Sequence, residues 1–260
     1  MTTITTTKPA SAGVNREQLL EMLGQLGHVR SVELKVTVSP EQQTALAGLH
    51  LDTLQGKLRQ VIFFDTPELT LFKNGVGVRA RRTQGAPDDT VVKLRPATLE
   101  DLPPKVQNSP NLKVEMDVTR GSYVVSASLK GMSPPGKVLK VIDGDYPLEK
   151  LFSKEQRSFF AAHAPAEVGW EDLMALGPVH VVLIKYFPED FKRKLVVEQW
   201  HYPGEVPLIE LSTKTTPQDV LQVVTDSAAF VQAHGLSATG EQQPKTRKAL
   251  EFFARGLKTA

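Results

Sequence analysis

The chain has 260 residues, 40% of them hydrophobic and 23% charged, an ordinary composition for one large globular domain or two small ones. Its 31 basic and 29 acidic residues leave a net charge of +2, too little for a global field that would draw it onto nucleic acid or an anionic membrane. The absence of cysteine removes disulfides, thiolate metal sites, iron–sulfur clusters and thiol nucleophiles together, which fits a reducing, cytoplasmic setting.

No apolar run of about 18 residues is present to span a bilayer. The Thr- and Ala-rich residues 1–13 read as a disordered leader, and residues 14–260 as a single domain. Asn15 caps a short helix carrying Leu19, Leu20 and Leu23 on one face. Alternation then puts Val32, Leu34, Val36 and Val38 on one side of a strand and Ser31, Glu33, Lys35 and Thr37 on the other. Ser39-Pro40-Glu41-Gln42 predicts a helix start, with the helix running to about Lys57.

Strand patterns recur over Gln60 to Asp65, Gly77 to Thr83, Thr90 to Arg95 and Leu112 to Thr119, and more weakly over Tyr123 to Leu129. Residues 145–177 read as a helical insertion, with helices over Lys150 to Ala162 and Trp170 to Leu176. Strands resume at Val179 to Phe187, Lys192 to Trp200 and Pro207 to Thr213, and helices from Thr216 to Gln232 and Lys245 to Leu257 close the chain. Six or seven strands, split by the insertion and closed by later strands, predict an α+β fold built on a closed barrel.

Several strands carry two charges at i and i+2, which a strand places on one face. Glu33 with Lys35, Arg79 with Arg81, Lys93 with Arg95, and Glu115 with Asp117 form such sets, Glu210 and Lys214 share a face with Ser212 between them, and the opposite faces are apolar in nearly every case. A sheet with one wet face explains this without a function. Yet the amphipathic helices need an apolar surface to cover, and if they cover the outside, the charges point into the barrel. Such an interior is costly unless water, metal and a polyanion fill it.

Glu33-Leu34-Lys35, Phe63-Phe64-Asp65-Thr66-Pro67, Lys73-Asn74-Gly75, Val78-Arg79-Ala80-Arg81, Val92-Lys93, Glu115-Met116-Asp117 and the late Glu210 follow an order that resembles the CYTH family of triphosphate tunnel metalloenzymes. The resemblance implies an eight-stranded antiparallel β-barrel with helices outside, whose lumen takes a triphosphate together with Mg2+ or Mn2+. It assigns Lys35, Arg79, Arg81 and Lys93 to the phosphates and Glu33, Glu115, Asp117 and Glu210 to the metal. Glu33, Lys35, Arg79 and Arg81 form the implied catalytic set. Arg95, Lys194 and Lys214 join the phosphate ligands, with Lys185 a further candidate; Lys194 and Glu198 share strand parity and face inward together, with Arg193 competing for that role, and Arg157, on a helix, reads equally well as a solvated or salt-bridged residue. Ser31 and Ser212 stand where the family pattern has glutamates.

Other chemistries find little support. There is no phosphate-loop sequence, no H-E-x-x-H and no nucleophile elbow, and the six histidines are scattered. Lys245, Arg247, Lys248, Arg255 and Lys258 read as a solvated helix face above Leu250, Phe252 and Phe253 rather than a nucleic-acid surface. The expected activity is metal-dependent hydrolysis of inorganic triphosphate, polyphosphate or another small triphosphate, without nucleic-acid or membrane partners and with a homodimer left open. Conversion of ATP to cyclic AMP, non-catalytic binding of polyphosphate or nucleotide, and a purely structural role are the alternatives.

Overall fold

The computed structural model describes residues 16–119, 122–236 and 245–259. The expected leader over 1–13 and the Asn15 cap lie outside the described residues. In chain order the elements are α1 (Arg16–Gln25), β1 (Ser31–Val38), β2 (Lys57–Asp65), α2 (Thr70–Lys73), β3 (Val76–Thr83), β4 (Asp88–Leu94) and α3 (Pro104–Gln107). Next come β5 (Leu112–Thr119), β6 (Ser122–Ser133), α4 (Lys137–Ile142), α5 (Lys154–His163), β7 (Met174–Tyr186), β8 (Leu195–His201), β9 (Leu208–Thr215), α6 (Val220–Ala233) and α7 (Lys245–Thr259). Among the described residues no helix is long and apolar enough to cross a membrane.

The strands close into a barrel in the order β1-β5-β6-β4-β3-β2-β7-β8-β9. The expectation of eight antiparallel strands is corrected to nine in a mixed sheet, because β1 pairs parallel to β5 and antiparallel to β9. Alternation reveals which face a residue takes but not the direction of its neighbour, which the connection between β4 and β5 decides.

Two helices are also corrected. After β1 the chain forms a 3-10 helix over Pro40–Leu49 that ends at His50 in the left-handed region, so β2 already begins at Lys57. Only Trp170–Asp172 is helical, again as 3-10, because Met174, Ala175 and Leu176 pair with Asp65, Phe64 and Phe63 as the start of β7.

The outward strand faces are apolar, as expected. Val32, Ile62, Val78, Val92, Val114 and Met116 pack with Phe152, Phe159 and Phe160 of the insertion in one core. Ser153 and Gln156 cap α5 reciprocally, and fully buried Gln156 donates from Nε2 to the carbonyls of Thr90 and Leu129. Its Oε1 accepts from Thr90 Oγ1 and the Ser153 amide, so the helix is pinned to β4 and β6 with its buried polar atoms satisfied. Phe191 and Phe230 of α6 join a second core over β8 and β9. A third core is different, because α7 places Ala249, Leu250 and Ala254 against Val61, Phe63, Val181 and Trp200, whose strand parity faces the lumen.

Candidate active site

The lumen charges are positioned by the loop that enters β3. Asp65 is buried and accepts from the amides of Thr66, Leu71 and Phe72, which fixes the turn through α2. Burial raises its pKa, against those three hydrogen bonds. Gly75, at φ +75°, lies against the Arg95 carbonyl, where a Cβ would stand only 2.4 Å from the oxygen. Arg95 in turn donates its amide to Gly75 at 2.7 Å. The Asp-Thr-Pro and Asn-Gly signatures therefore set the register of β3 against β4.

Glu33 and Asp117 are register partners across β1 and β5. Both reach the Lys35 ammonium, at 3.2 and 2.7 Å. Asp117 is also met by Lys93 at 3.5 Å and Arg95 at 3.4 Å. Burial opposes ionisation of Asp117, but Lys35, Lys93 and Arg95 outweigh it and hold the carboxyl far below its usual range. Burial also works against the Lys35 ammonium, and Asp117, Glu33 and Glu210 overcome it and raise its pKa. Lys93 goes the other way: burial, helped by Lys35, Arg95 and Arg79, pushes it down to about 8 despite Asp117.

On β3, Arg81 holds Asp89 through Nε and Nη2 at 2.9 and 2.7 Å. Arg79 has no ion pair among the described residues, and its solvent-inaccessible Nε has no hydrogen-bond partner. Burial, then Arg81 and Arg59, push its guanidinium down to about 9 in the face of Asp89 and Glu198, so it stays charged at neutral pH.

The remaining carboxylates have their own cations. Glu115 binds Lys214 at 2.5 Å and accepts from Ser31 Oγ at 3.0 Å. Glu198 pairs with Arg59 at 3.2 Å and with Lys245, while Glu210 meets Lys245 at 2.7 Å. Burial disfavours the Lys245 ammonium, and Glu210 and Glu198 overcome that to raise its pKa.

The expected residues Glu33, Lys35, Arg79, Arg81, Lys93, Arg95, Glu115, Asp117, Glu198, Glu210 and Lys214 thus line one lumen. Lys194 precedes β8 and is exposed, as is Lys185 at the end of β7. Arg193 pairs with Asp226 on α6 at 3.6 Å, and Arg157 donates to the Phe152 carbonyl; both are structural. Sequence reasoning missed Arg59, which continues the parity of Val61 and Phe63 one step before the expected strand. Lys245, expected on a solvated helix face, instead sends its ammonium into the lumen to Glu210.

Among the described residues no three His, Asp or Glu side chains gather into a metal-holding group. Glu33 and Asp117 nevertheless converge on one cation, the Lys35 ammonium. Two carboxylates supply the hard oxygen donors that Mg2+ or Mn2+ takes alongside water, so this pair fits the ion. Glu210 and Glu115 are turned to their own lysines.

No protein-family model matches the chain, and neither does any curated relative. Among solved structures, a candidate adenylyl cyclase from Hippeastrum with a dominant triphosphatase activity is similar at 18% identity and a TM-score of 0.55, over 82% of this chain and 92% of that one. A candidate adenylate cyclase from Bacillus halodurans is similar at 14% identity and a TM-score of 0.56, over 85% and 97%. The chain shares their fold, in agreement with the CYTH-like order of its motifs.

Proposed function

We propose that the lumen binds a linear triphosphate, inorganic or organic, and hydrolyses its terminal phosphoanhydride. The observation that carries this reading is Arg79. Every lumen carboxylate described above has a cationic partner, yet among the described residues this guanidinium has no ion pair and keeps a solvent-inaccessible Nε without a hydrogen-bond partner. An uncompensated cation of this kind is costly unless an anion completes it. Guanidinium forks suit phosphate oxygens, and Arg59, Arg81 and Lys93 surround the same space.

Phosphoryl transfer asks chiefly for positioning and for charge opposite the phosphoryl oxygens. Arg79, Arg81 and Lys93 supply that charge as water attacks the terminal phosphorus and the bridging bond to pyrophosphate, or to the organic diphosphate, breaks. Lys35 and Arg95 orient the chain from the Asp117 side. Glu33 and Asp117 would hold a divalent cation, which supplies polarisation of the phosphoryl group and activation of water. The dominant triphosphatase activity of the Hippeastrum neighbour supports hydrolysis over cyclisation.

The test is phosphate release from tripolyphosphate and ATP by the purified chain, with Mg2+, with Mn2+ and with chelator. Turnover only with metal, giving ADP from ATP, is expected. Cyclic AMP as the main product, or no turnover of any triphosphate with either ion, would overturn the proposal.

A further inference from the structure

The pairing of β8 with β9 sets Glu198 directly opposite Glu210, and both face the lumen. Like charges so placed repel, and either a retained proton or a cation between them relieves the repulsion; here it is a cation. That cation belongs to the chain. The Lys245 Nζ stands 2.7 Å from Glu210 Oε1 and also donates to Glu198 Oε2. Glu198 is further engaged by Arg59 and by the Trp200 indole, which donates at 3.2 Å.

The position of Lys245 is fixed by more than its ion pairs. Its carbonyl accepts from the Tyr202 hydroxyl at 3.3 Å, and its ammonium lies 5.3 Å from the centre of the Trp200 ring. Behind it, the fully buried Ala249 and Leu250 seat α7 on the lumen-facing apolar side chains. Withdrawing the ammonium from the carboxylates therefore means shifting the start of a packed helix. Lys35, which bridges Glu33 and Asp117, extends from the barrel wall itself and can turn to an entering phosphate without moving an element.

We propose that Lys245 is a resident cation of the tunnel: it takes up the Glu198–Glu210 pair in place of a divalent ion, leaving Glu33 and Asp117 as the metal-binding carboxylates. The inference rests on reading the lumen as a triphosphate site, and it departs from the assignment of Glu210 to metal that the motif order implies. It also gives α7 a second role, since docking of this helix neutralises the far carboxylates.

The test counts bound Mn2+ by electron paramagnetic resonance, using Mn2+ alone and the full chain. In parallel, Mn2+ quenching of Trp200 emission is followed in a Trp170→Phe background, because the chain has two tryptophans. Lys245→Met is expected to gain an additional Mn2+ per chain, with quenching of Trp200. Glu210→Gln in the otherwise native chain is expected to leave the Mn2+ count unchanged. A folded Lys245→Met protein with no added Mn2+, or a loss of Mn2+ in Glu210→Gln, would overturn the inference; the second arm holds even where Lys245→Met does not fold. Failure of the native chain to bind tripolyphosphate in calorimetry would instead sink the functional reading, whatever the Mn2+ count.

Discussion

Lys93 on β4 meets Asp117 on β5 at 3.5 Å, and it shares that single carboxylate with Lys35 and Arg95. Even with Glu33 as the second partner of Lys35, two carboxylates face three cations. The surplus charge would be the electrostatic basis of the proposed anion binding, and its cost falls on Lys93, whose pKa is pushed down to about 8 by burial and the neighbouring cations.

This makes triphosphate affinity dependent on pH above neutrality. Below about pH 8 Lys93 is already protonated in the free protein, so binding needs no proton at this site. Above that pH the free protein holds neutral Lys93, while a bound phosphate favours the ammonium and raises its pKa, so binding takes up a proton and weakens as pH rises. Calorimetry at pH 8, where Lys93 is partly neutral and Arg79, at about 9, is still mostly charged, in two buffers of different ionisation enthalpy is expected to show proton uptake that Lys93→Met largely removes. Equal uptake in that variant would assign the proton elsewhere.

Arg79 is expected to trade stability for binding. Its replacement by methionine removes an unpaired cation, so the unliganded melting temperature is expected to stay at or above that of the native chain. The same change deletes charge-assisted hydrogen bonds of about 1.5–3 kcal/mol, and tripolyphosphate should bind roughly 10- to 100-fold more weakly. A loss of stability without loss of affinity would make Arg79 a structural residue.

Gln156 should show the reverse pattern. In Gln156→Leu the carbonyls of Thr90 and Leu129 and the Ser153 amide lose a buried partner, at a cost of about 2–4 kcal/mol. A chain of this size should then melt roughly 5–15 °C lower. The residue lies on the outer side of the barrel, so tripolyphosphate affinity of the folded variant is expected to stay within about twofold. Differential scanning calorimetry and a binding titration together check both halves.

Much of this was legible in strand parity. Glu33, Lys35, Arg79, Arg81, Lys93 and Asp117 face inward because their neighbours Leu34, Ala80, Val92 and Met116 face the outer core. Partnership was not legible, since it depends on register between distant strands: Glu115 stands opposite Ser31 and beside Lys214 rather than in a metal cluster. Lys245 was hidden for a related reason. A helix with apolar and basic faces reads as a surface helix, and only the docking of α7 on Val61 and Phe63 turns its first residue into the lumen. The continuous apolar run Val61-Ile62-Phe63-Phe64 carried a trace of this, because such a run suits a strand covered on both faces. The parallel pairing of β1 with β5 left no trace in either strand.

Ser212 offers the most direct test of how metal and lysine divide the lumen. It is the register partner of Lys35 across β1 and β9, it is buried, and Glu33, one of the two carboxylates on that lysine, pairs in register with Lys214 two residues further along β9. A carboxylate introduced by Ser212→Glu would lie beside the pair that converges on Lys35 and would add a third hard oxygen donor there. Divalent affinity grows with the number of charged ligands, so Mn2+ should bind about tenfold more tightly or better. The same negative charge opposes phosphate directly, so tripolyphosphate binding in chelator should weaken while binding with Mn2+ is preserved. Calorimetric titrations of Mn2+ alone, and of tripolyphosphate with and without Mn2+, measure each term. Weaker binding under every condition, with no gain for Mn2+, would mean that the lumen around Lys35 is a purely cationic site and that Glu33 and Asp117 serve only to balance it.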